Sequence, residues 1–169
     1  MRYSFVIVGL LLASPVLADF ESDKRDCVNG VLLARINACS RLIQSGRFKA
    51  LDQAVAYHNR GVGYGQLRRH RRAIQGFDKA LRLNPKYAKT YFNRGNAYNR
   101  LKQYHRAIQD YNGALRLNPT YAKVYYNRGF TYETLGEKQS AIRDYRAYLR
   151  LVPGDKNAIA ALKALGASP

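Results

Sequence analysis

Residues 88–121 read AKTYFNRGNAYNRLKQYHRAIQDYNGALRLNPTY, and the fold of most of the chain can be inferred from this stretch. The same pattern occurs directly before it, in residues 54–87, and directly after it, in residues 122–155. Each copy is 34 residues long and no copy contains a gap. Tandem copies of this length predict a repeat protein, in which each unit buries its apolar face only when it is stacked on its neighbours.

The residues that recur are those that pack two helices together. Each half of a unit places apolar residues three, four and seven positions apart, which is the period of one helix face. Small residues recur where two helices must approach closely, and a proline ends each unit because it cannot continue a helix. The recurring sets are Tyr57, Tyr91 and Tyr125; Gly61, Gly95 and Gly129; Ala73, Ala107 and Ala141; Phe77, Tyr111 and Tyr145; and Pro85, Pro119 and Pro153.

This pattern resembles the tetratricopeptide-repeat (TPR) family, with aromatic residues, glycine, alanine and proline at the family's offsets in all three units. The resemblance implies an all-α solenoid of helix-turn-helix repeats, whose first helices line a concave groove. Residues 19–53 then form an N-terminal cap with a degenerate half repeat, which includes a predicted helix over residues 31–43. Residues 156–169 form a C-terminal capping helix and tail.

Residues 1–18 are predicted to be a signal peptide. Arg2 precedes an apolar run over residues 5–13, and Val16 and Ala18 are the small residues expected before a cleavage point. The run is too short to span a bilayer as a stable helix. The alternative is an uncleaved anchor or a buried helix. We therefore expect an exported protein, periplasmic or secreted, and the resemblance to small exported TPR proteins suggests a bacterial envelope.

Export changes the interpretation of the two cysteines. In an oxidising compartment Cys27 and Cys39 are expected to form a disulfide, and the alternative is two free, buried thiols. The sequence has no CxxC motif and its three histidines are scattered, so no metal site and no cofactor is expected. No combination of histidine, acid and nucleophile forms a motif, and no glycine-rich phosphate loop is present, so the chain is predicted not to be an enzyme.

The groove implied by the resemblance is the expected partner site. Asn59, Asn93 and Asn127 form a ladder of one amide per repeat, and an amide both donates and accepts, so it can bind the backbone of an extended peptide. Alternatively, the ladder is only the repeat copied three times, with each amide satisfying neighbouring groups in the stack. The predicted groove residues are Asn59, Lys89, Phe92, Asn93, Asn96, Arg100, Lys123, Tyr126, Asn127 and Phe130, with His58 in the same row.

The family's carboxylate clamp, which grips a C-terminal carboxylate, is only partly present. Asn93 and Lys123 match its positions, whereas His58, Val62 and Asn127 do not supply the usual side chains. Recognition of a chaperone tail is therefore not predicted.

The positive charge is concentrated in the first two repeats. The chain carries a formal net charge of +18, and residues 54–87, 88–121 and 122–155 carry +7, +5 and +2. The densest part is the basic edge, which we define as the predicted turn residues Arg68, Arg69, Arg71, Arg72, Lys102 and Arg106. Such an edge can dock on anionic lipid or an acidic partner, or it can simply be solvated.

The sequence thus predicts a non-enzymatic adaptor or scaffold that binds an extended peptide or a partner protein of acidic character in the groove. The alternative is a basic surface-associating factor that binds anionic envelope lipid or polymer by charge, with peripheral contact to the membrane. Nucleic acid is not an expected partner, because most tyrosines near the basic residues are already explained as repeat core. Self-association through the end helices is left open.

Overall fold

The computed structural model of this chain describes residues 15–47 and 49–169, with side chains described from residue 19 onward. Within these ranges the chain forms nine α-helices and no strand. The helices are α1 (Pro15–Asn29), α2 (Leu32–Ser45), α3 (Ala50–Gln66), α4 (His70–Leu83), α5 (Ala88–Arg100), α6 (Tyr104–Leu117), α7 (Ala122–Thr134), α8 (Lys138–Leu151) and α9 (Lys156–Ala164). The all-α prediction is confirmed.

The helices pack in sequence order as helix-turn-helix pairs. Each of the three units contributes one pair, α3 with α4, α5 with α6, and α7 with α8, and each pair stacks on the next. Among the described residues α3 also contacts α5, and α5 contacts α7. The second helices of the repeats, α4, α6 and α8, contact one another less than the first helices do. The first helices are therefore closer together than the second helices and line the inner side of the solenoid.

A glycine in each first helix allows the close approach within a pair. A Cβ atom on Gly95 would lie 2.8 Å from the ring of Tyr111, and one on Gly61 would lie 2.7 Å from the ring of Phe77. Tyr111 is only 1% exposed, so its ring packs directly on the glycine backbone. The repeated glycine thus positions the large side chain that fills the core of each pair.

The turn inside each repeat contains one residue in the left-handed conformation. Gly136 has a φ of 76° in the third repeat, and the matching residues Arg68 and Lys102 have φ of 58° and 59°. Residues other than glycine rarely adopt this backbone conformation, because it brings Cβ too close to the following carbonyl oxygen. The first two repeats thus place a basic residue at an exposed turn position where glycine would be less strained.

The two ends of the stack are closed by different means. A Cys27–Cys39 disulfide, with Cα atoms 4.7 Å apart, joins α1 to α2, as the sequence predicted. At the other end the Asp155 carboxylate accepts hydrogen bonds from the backbone N–H groups of Asn157 and Ala158, which caps α9. Leu162 on α9 is fully buried in a cluster with Ile142 and Tyr145.

Residues 1–14, most of the predicted signal peptide, lie outside the described residues. The predicted cleavage point after Ala18 falls within α1, which continues to Asn29. Cleavage there would leave a helix that starts near Asp19, with Cys27 still bonded to Cys39.

Candidate functional site

A row of hydrogen bonds joins the first helices of the second and third repeats. The Asn96 carbonyl Oδ1 accepts from the Tyr111 hydroxyl at 2.8 Å and from the Asn127 amide at 2.7 Å. The Asn99 amide donates to the Thr131 hydroxyl at 2.5 Å. Burial raises the pKa of the Tyr111 phenol above its ordinary value, so the phenol stays protonated and donates. One member of the predicted ladder, Asn127, is therefore partly used inside the stack.

The other two amides of the ladder, those of Asn59 and Asn93, do not form hydrogen bonds inside the stack of described helices. Asn59 and Asn93 are half-buried, and neither side chain has a hydrogen-bond partner within the described ranges. A half-buried amide with free donors and acceptors can bind a ligand without first breaking an internal bond. Asn93 thus offers its whole hydrogen-bonding capacity to a partner, whereas Asn127 offers only part of it.

Two cavities lie next to each other along the inner side. The first, of about 260 Å³, is lined by Val62, Gly65, Gln66, His70, Phe77, Asn93, Asn96, Ala97 and Arg100. The second, of about 390 Å³, is lined by Asn96, Asn99, Arg100, Tyr111, Tyr126, Asn127 and Phe130. Because Asn96 and Arg100 line both, the two cavities form one groove with three asparagines of the predicted set and a single arginine.

The three aromatic residues predicted for the groove lie in different surroundings. The ring of Phe92 is 5.0 Å from that of Tyr121 and 6.2 Å from that of Tyr111, and it lines neither cavity. Tyr126 lines the second cavity, and Phe130 beside it is 52% exposed. The apolar surface of the groove therefore lies at its third-repeat end, whereas Phe92 packs against Tyr111 and Tyr121 of its own repeat.

Two predicted lysines occupy equivalent places outside both cavities. Lys89 and Lys123 are exposed residues near the starts of α5 and α7. Neither lines the cavities between the first helices. The cation that the structure brings together with the groove amides is Arg100.

The inclusion of His58 in the groove row is wrong. His58 is 5% exposed, its Nδ1 atom lies 2.9 Å from the Thr90 hydroxyl, and its ring is 4.9 Å from that of Tyr87. Burial, with a smaller effect from the charge of Lys89, lowers the pKa of His58 to about 4. The imidazole is therefore a neutral packing residue between the first two repeats.

The basic edge is exposed and extends from the turn of the first repeat to the turn of the second. Arg68, Arg69, Arg71 and Arg72 line an open cavity of about 590 Å³ together with His70 and Leu101. Leu101 belongs to the turn of the second repeat, which places Lys102 beside this cluster. The guanidinium of Arg106 stacks on the ring of Tyr98 at 4.5 Å. None of the six residues of the basic edge forms an ion pair with a described acidic side chain.

His70 connects the groove to the basic edge, and it was not predicted from the sequence for either site. It lines both the first cavity and the cavity of the arginine cluster. Burial and the nearby charges of Arg100 and Arg68 lower the pKa of His70, so the neutral form is favoured. The position of His70 within the run of arginines could have placed it in the basic edge. Only the structure shows that His70 also faces the groove.

The part of the chain with described side chains gives no sign of a metal centre or a membrane span. No group of three or more His, Cys, Asp or Glu residues within it could hold a metal ion. None of its helices is both long and apolar enough to cross a membrane.

Four family models of the tetratricopeptide repeat match the sequence. They match residues 54–87, 77–109, 95–136 and 122–155, and together they cover the three units without a gap. The chain belongs to the TPR family. No curated protein matches this TPR chain significantly in sequence.

Solved TPR structures share the fold of this TPR chain. The first TPR of Spaghetti (RPAP3), bound to the HSP90 peptide SRMEEVD, is 29% identical, with a TM-score of 0.66 over 69% of this chain and 92% of that chain. The second TPR domain of human RPAP3, in complex with the HSP70 peptide SGPTIEEVD, is 28% identical, with a TM-score of 0.66 over 70% and 98%. The protein MamA is 21% identical, with a TM-score of 0.77 over 88% and 79%, a likeness of fold alone.

Proposed function

We propose that this TPR protein is a non-enzymatic adaptor that holds an extended, acidic segment of a partner protein in the groove formed by α3, α5 and α7. The observation that carries this proposal is that Arg100 and Asn96 line both groove cavities. A segment that crosses from one cavity to the other passes these two residues, so it meets an amide and a positive charge at the centre of the groove.

The groove residues suit different parts of such a segment. The free amide of Asn93 can pair with the peptide backbone whatever its sequence. Arg100 is exposed and has no ion-pair partner among the described acidic side chains, so it can bind a carboxylate of the segment. Phe130 and Tyr126 offer an apolar surface for a large side chain at the other end.

The solved relatives support a peptide in this place, and they support its acidic character. The two RPAP3 domains are bound to the peptides SRMEEVD and SGPTIEEVD, each of which carries three acidic residues. The present groove differs from the family's clamp because His58 is buried at one of the clamp positions. We therefore propose an acidic segment held by Arg100 and the amides, and not a chaperone tail.

An oxidising location fits the rest of the molecule. The Cys27–Cys39 disulfide is a bond that persists mainly outside the reducing cytosol. Together with the predicted signal peptide over residues 1–18, it supports an exported protein, periplasmic or secreted, in a bacterial envelope.

A second candidate function rests on the basic edge. Its six residues have no acidic partner within the described ranges, and four of them line one open surface. In this alternative the protein binds anionic envelope lipid or polymer by charge. Such binding falls steeply between low and physiological salt, because the Debye length shortens to about 8 Å at 0.15 M.

A pull-down from an envelope extract distinguishes the two functions. The bait is residues 19–169, washed at about 0.3 M salt, where exposed charges are strongly screened. The test bait carries Asn93→Ala and Arg100→Gln, which break no hydrogen bond between described residues. The matched control carries Asn157→Ala and Arg116→Gln, an exposed asparagine and an exposed arginine outside the groove.

Groove binding predicts one dominant protein that the wild type and the control retain and that the test bait loses. If no protein is retained at this salt, and anionic vesicles bind only at low salt, the groove proposal is wrong. Loss of vesicle binding on changing Arg68, Arg69, Arg71 and Arg72 to Gln would then establish the second function.

A further inference from the structure

The second and third repeats each contain a buried ion pair between their two helices. In the second repeat Arg94 donates from Nε and Nη2 to the two oxygens of Asp110, at 2.8 and 2.7 Å. In the third repeat Arg128 makes the same pair of bonds to Asp144, at 2.6 and 2.7 Å. Both aspartates are 5% exposed. In each case the arginine belongs to the repeated Asn-Arg-Gly sequence, and the aspartate lies 16 residues after it.

The first repeat has the arginine without its aspartate. Arg60 is the matching arginine, and the residue 16 positions after it is Gly76. The Nε atom of Arg60 is buried and has no hydrogen-bond partner among the described residues. The Nη1 atom donates one long hydrogen bond of 3.5 Å to the Ser40 hydroxyl, and the guanidinium lies 5.2 Å from the centre of the Tyr57 ring. A buried guanidinium N–H without an acceptor costs free energy, so Arg60 lacks the acceptor that Arg94 and Arg128 have in the other repeats.

The missing carboxylate cannot be supplied from position 76 itself. A Cβ atom on Gly76 would lie 3.0 Å from the Tyr57 carbonyl oxygen and 3.1 Å from the Gly61 Cα atom. The helices α3 and α4 thus approach too closely for a side chain there to fit without a shift of the backbone. Position 76 therefore supplies no acceptor to Arg60, which leaves room for an acceptor from outside the chain.

A cavity leads to this arginine from the surface. It has a volume of about 520 Å³ and is lined by Arg60, Tyr64, Arg72, Gln75, Gly76, Asp78, Lys79 and Arg82. We call it the Arg60 cavity. Four of the lining residues are basic, and the single acid, Asp78, is already paired with Arg94 at 2.6 Å. The cavity therefore has a strong excess of positive charge.

The Arg60 cavity is separate from the groove. Arg60 and the groove residue Val62 both lie on α3, and two residues along a helix are about 200° apart around its axis. The two sites share no lining residue, since the groove cavities are lined by Val62, Gln66, Arg100 and their neighbours. A ligand in one site therefore leaves the other open.

We propose that the Arg60 cavity is a second binding site, which takes a carboxylate from outside the chain in the role that Asp110 and Asp144 have in the other repeats. The guanidinium of Arg60 donates hydrogen bonds to one carboxylate of the ligand. Lys79, Arg82 and Arg72 also line the cavity, and their positive charges favour a ligand with several negative charges. A free polycarboxylic acid and a run of acidic side chains on a partner protein both present this chemistry.

Isothermal titration calorimetry tests this with two probes, citrate and a glutamate peptide with blocked ends. The titrations use the whole chain without residues 1–18, at about 0.15 M salt, so that weak surface pairing is screened. We expect one saturable site for at least one probe. Binding of citrate alone indicates a small free ligand, and binding of the peptide indicates an acidic partner segment.

Matched variants show whether the binding occurs in the Arg60 cavity. Arg60→Gln is expected to weaken binding at least about tenfold, the effect of losing a hydrogen bond to a charged group. Arg82→Gln should weaken it by about threefold. Arg116→Gln, the equivalent arginine of the second repeat, is exposed and lies outside the cavity, and it should leave the affinity unchanged within twofold.

Circular dichroism of each variant separates lost binding from lost folding. If Arg60→Gln does not fold, the comparison between Arg82→Gln and Arg116→Gln decides, because both are exposed surface changes. The proposal is overturned if neither probe saturates the wild type. It is also overturned if Arg82→Gln and Arg116→Gln weaken binding equally, since the attraction would then depend on net charge alone.

Discussion

The Nδ1 atom of His58 lies 2.9 Å from the hydroxyl of Thr90, across the boundary between the first and second repeats. His58 is on α3 and Thr90 on α5, and both side chains are buried. The bond therefore joins two repeats through a side chain that can gain a proton. Because the surroundings hold the imidazole neutral, protonation and stacking of these repeats are coupled.

We expect the stability of the protein to fall as the pH is lowered from about 6.5 to about 4. The pKa of His58 is about 4 in the folded chain against 6.5 for an ordinary histidine, so the unfolded chain binds the proton first. The stability that depends on neutral His58 is fully present above pH 6.5 and is lost as the pH falls through the folded pKa, at a cost of about 3 kcal/mol. Urea midpoints across this range measure it.

The variant His58→Phe isolates the effect, because the matching position in the second repeat is Phe92. It should lose the part of the pH dependence that the wild type shows in this range. His105→Gln changes an exposed histidine and should follow the wild type. Parallel pH profiles for wild type and His58→Phe would show that His58 is not the group responsible.

Removing the buried aspartate of one ion pair is expected to cost far more stability than removing one partner of an exposed pair. Asp144→Ala leaves Arg128 without the partner that accepts two of its hydrogen bonds, and breaking such a buried pair costs about 3 kcal/mol or more. Glu21→Ala removes the exposed pair between Glu21 and Lys24 and should cost less than about 1 kcal/mol. Chemical denaturation measures both, and equal losses would contradict the role given to burial.

Two glycines in first helices should respond in opposite ways to alanine. Gly95→Ala places Cβ 2.8 Å from the Tyr111 ring, and overpacking of this kind costs about 1–3 kcal/mol. Gly65→Ala meets nothing closer than the Ala73 Cβ atom at 4.0 Å, so it should gain up to about 1 kcal/mol from helix propensity. Thermal unfolding of the two variants compares them, and a Gly95→Ala protein as stable as Gly65→Ala would show that the close approach is not required.

The helix pairs could be predicted from the sequence because their determinants are periodic. The recurring Tyr91, Gly95, Ala107 and Tyr111 define two helix faces and the distance between them, and the structure shows those residues packed in one core. The helix α1 was harder to predict, because residues 15–29 lack a clear apolar period. That helix is fixed by the Cys27–Cys39 bond and by packing on α2.

The site was less predictable because neighbouring positions on a helix face different surroundings. His58 and Asn59 are adjacent in sequence, but the first is buried against α5 and the second is half-buried with a free amide. Recurrence of a ring at positions 58, 92 and 126 was a usable signal for packing, because each ring contacts the aromatic residue 19 positions after it in its own repeat. The replacement of Asp110 by Gly76 was also visible at a spacing of 34, but only the structure shows the unpartnered Nε of Arg60.

The most direct test of groove binding is a titration of isotope-labelled protein with the acidic segment of the retained partner, followed by NMR at about 0.3 M salt. Groove binding predicts that the side-chain amide signals of Asn93, Asn96 and Asn127 shift and saturate together. It also predicts that Asn93→Ala with Arg100→Gln weakens the affinity at least about tenfold. Shifts confined to residues 68–72, with those amide signals unchanged, would contradict it and place the partner on the basic edge.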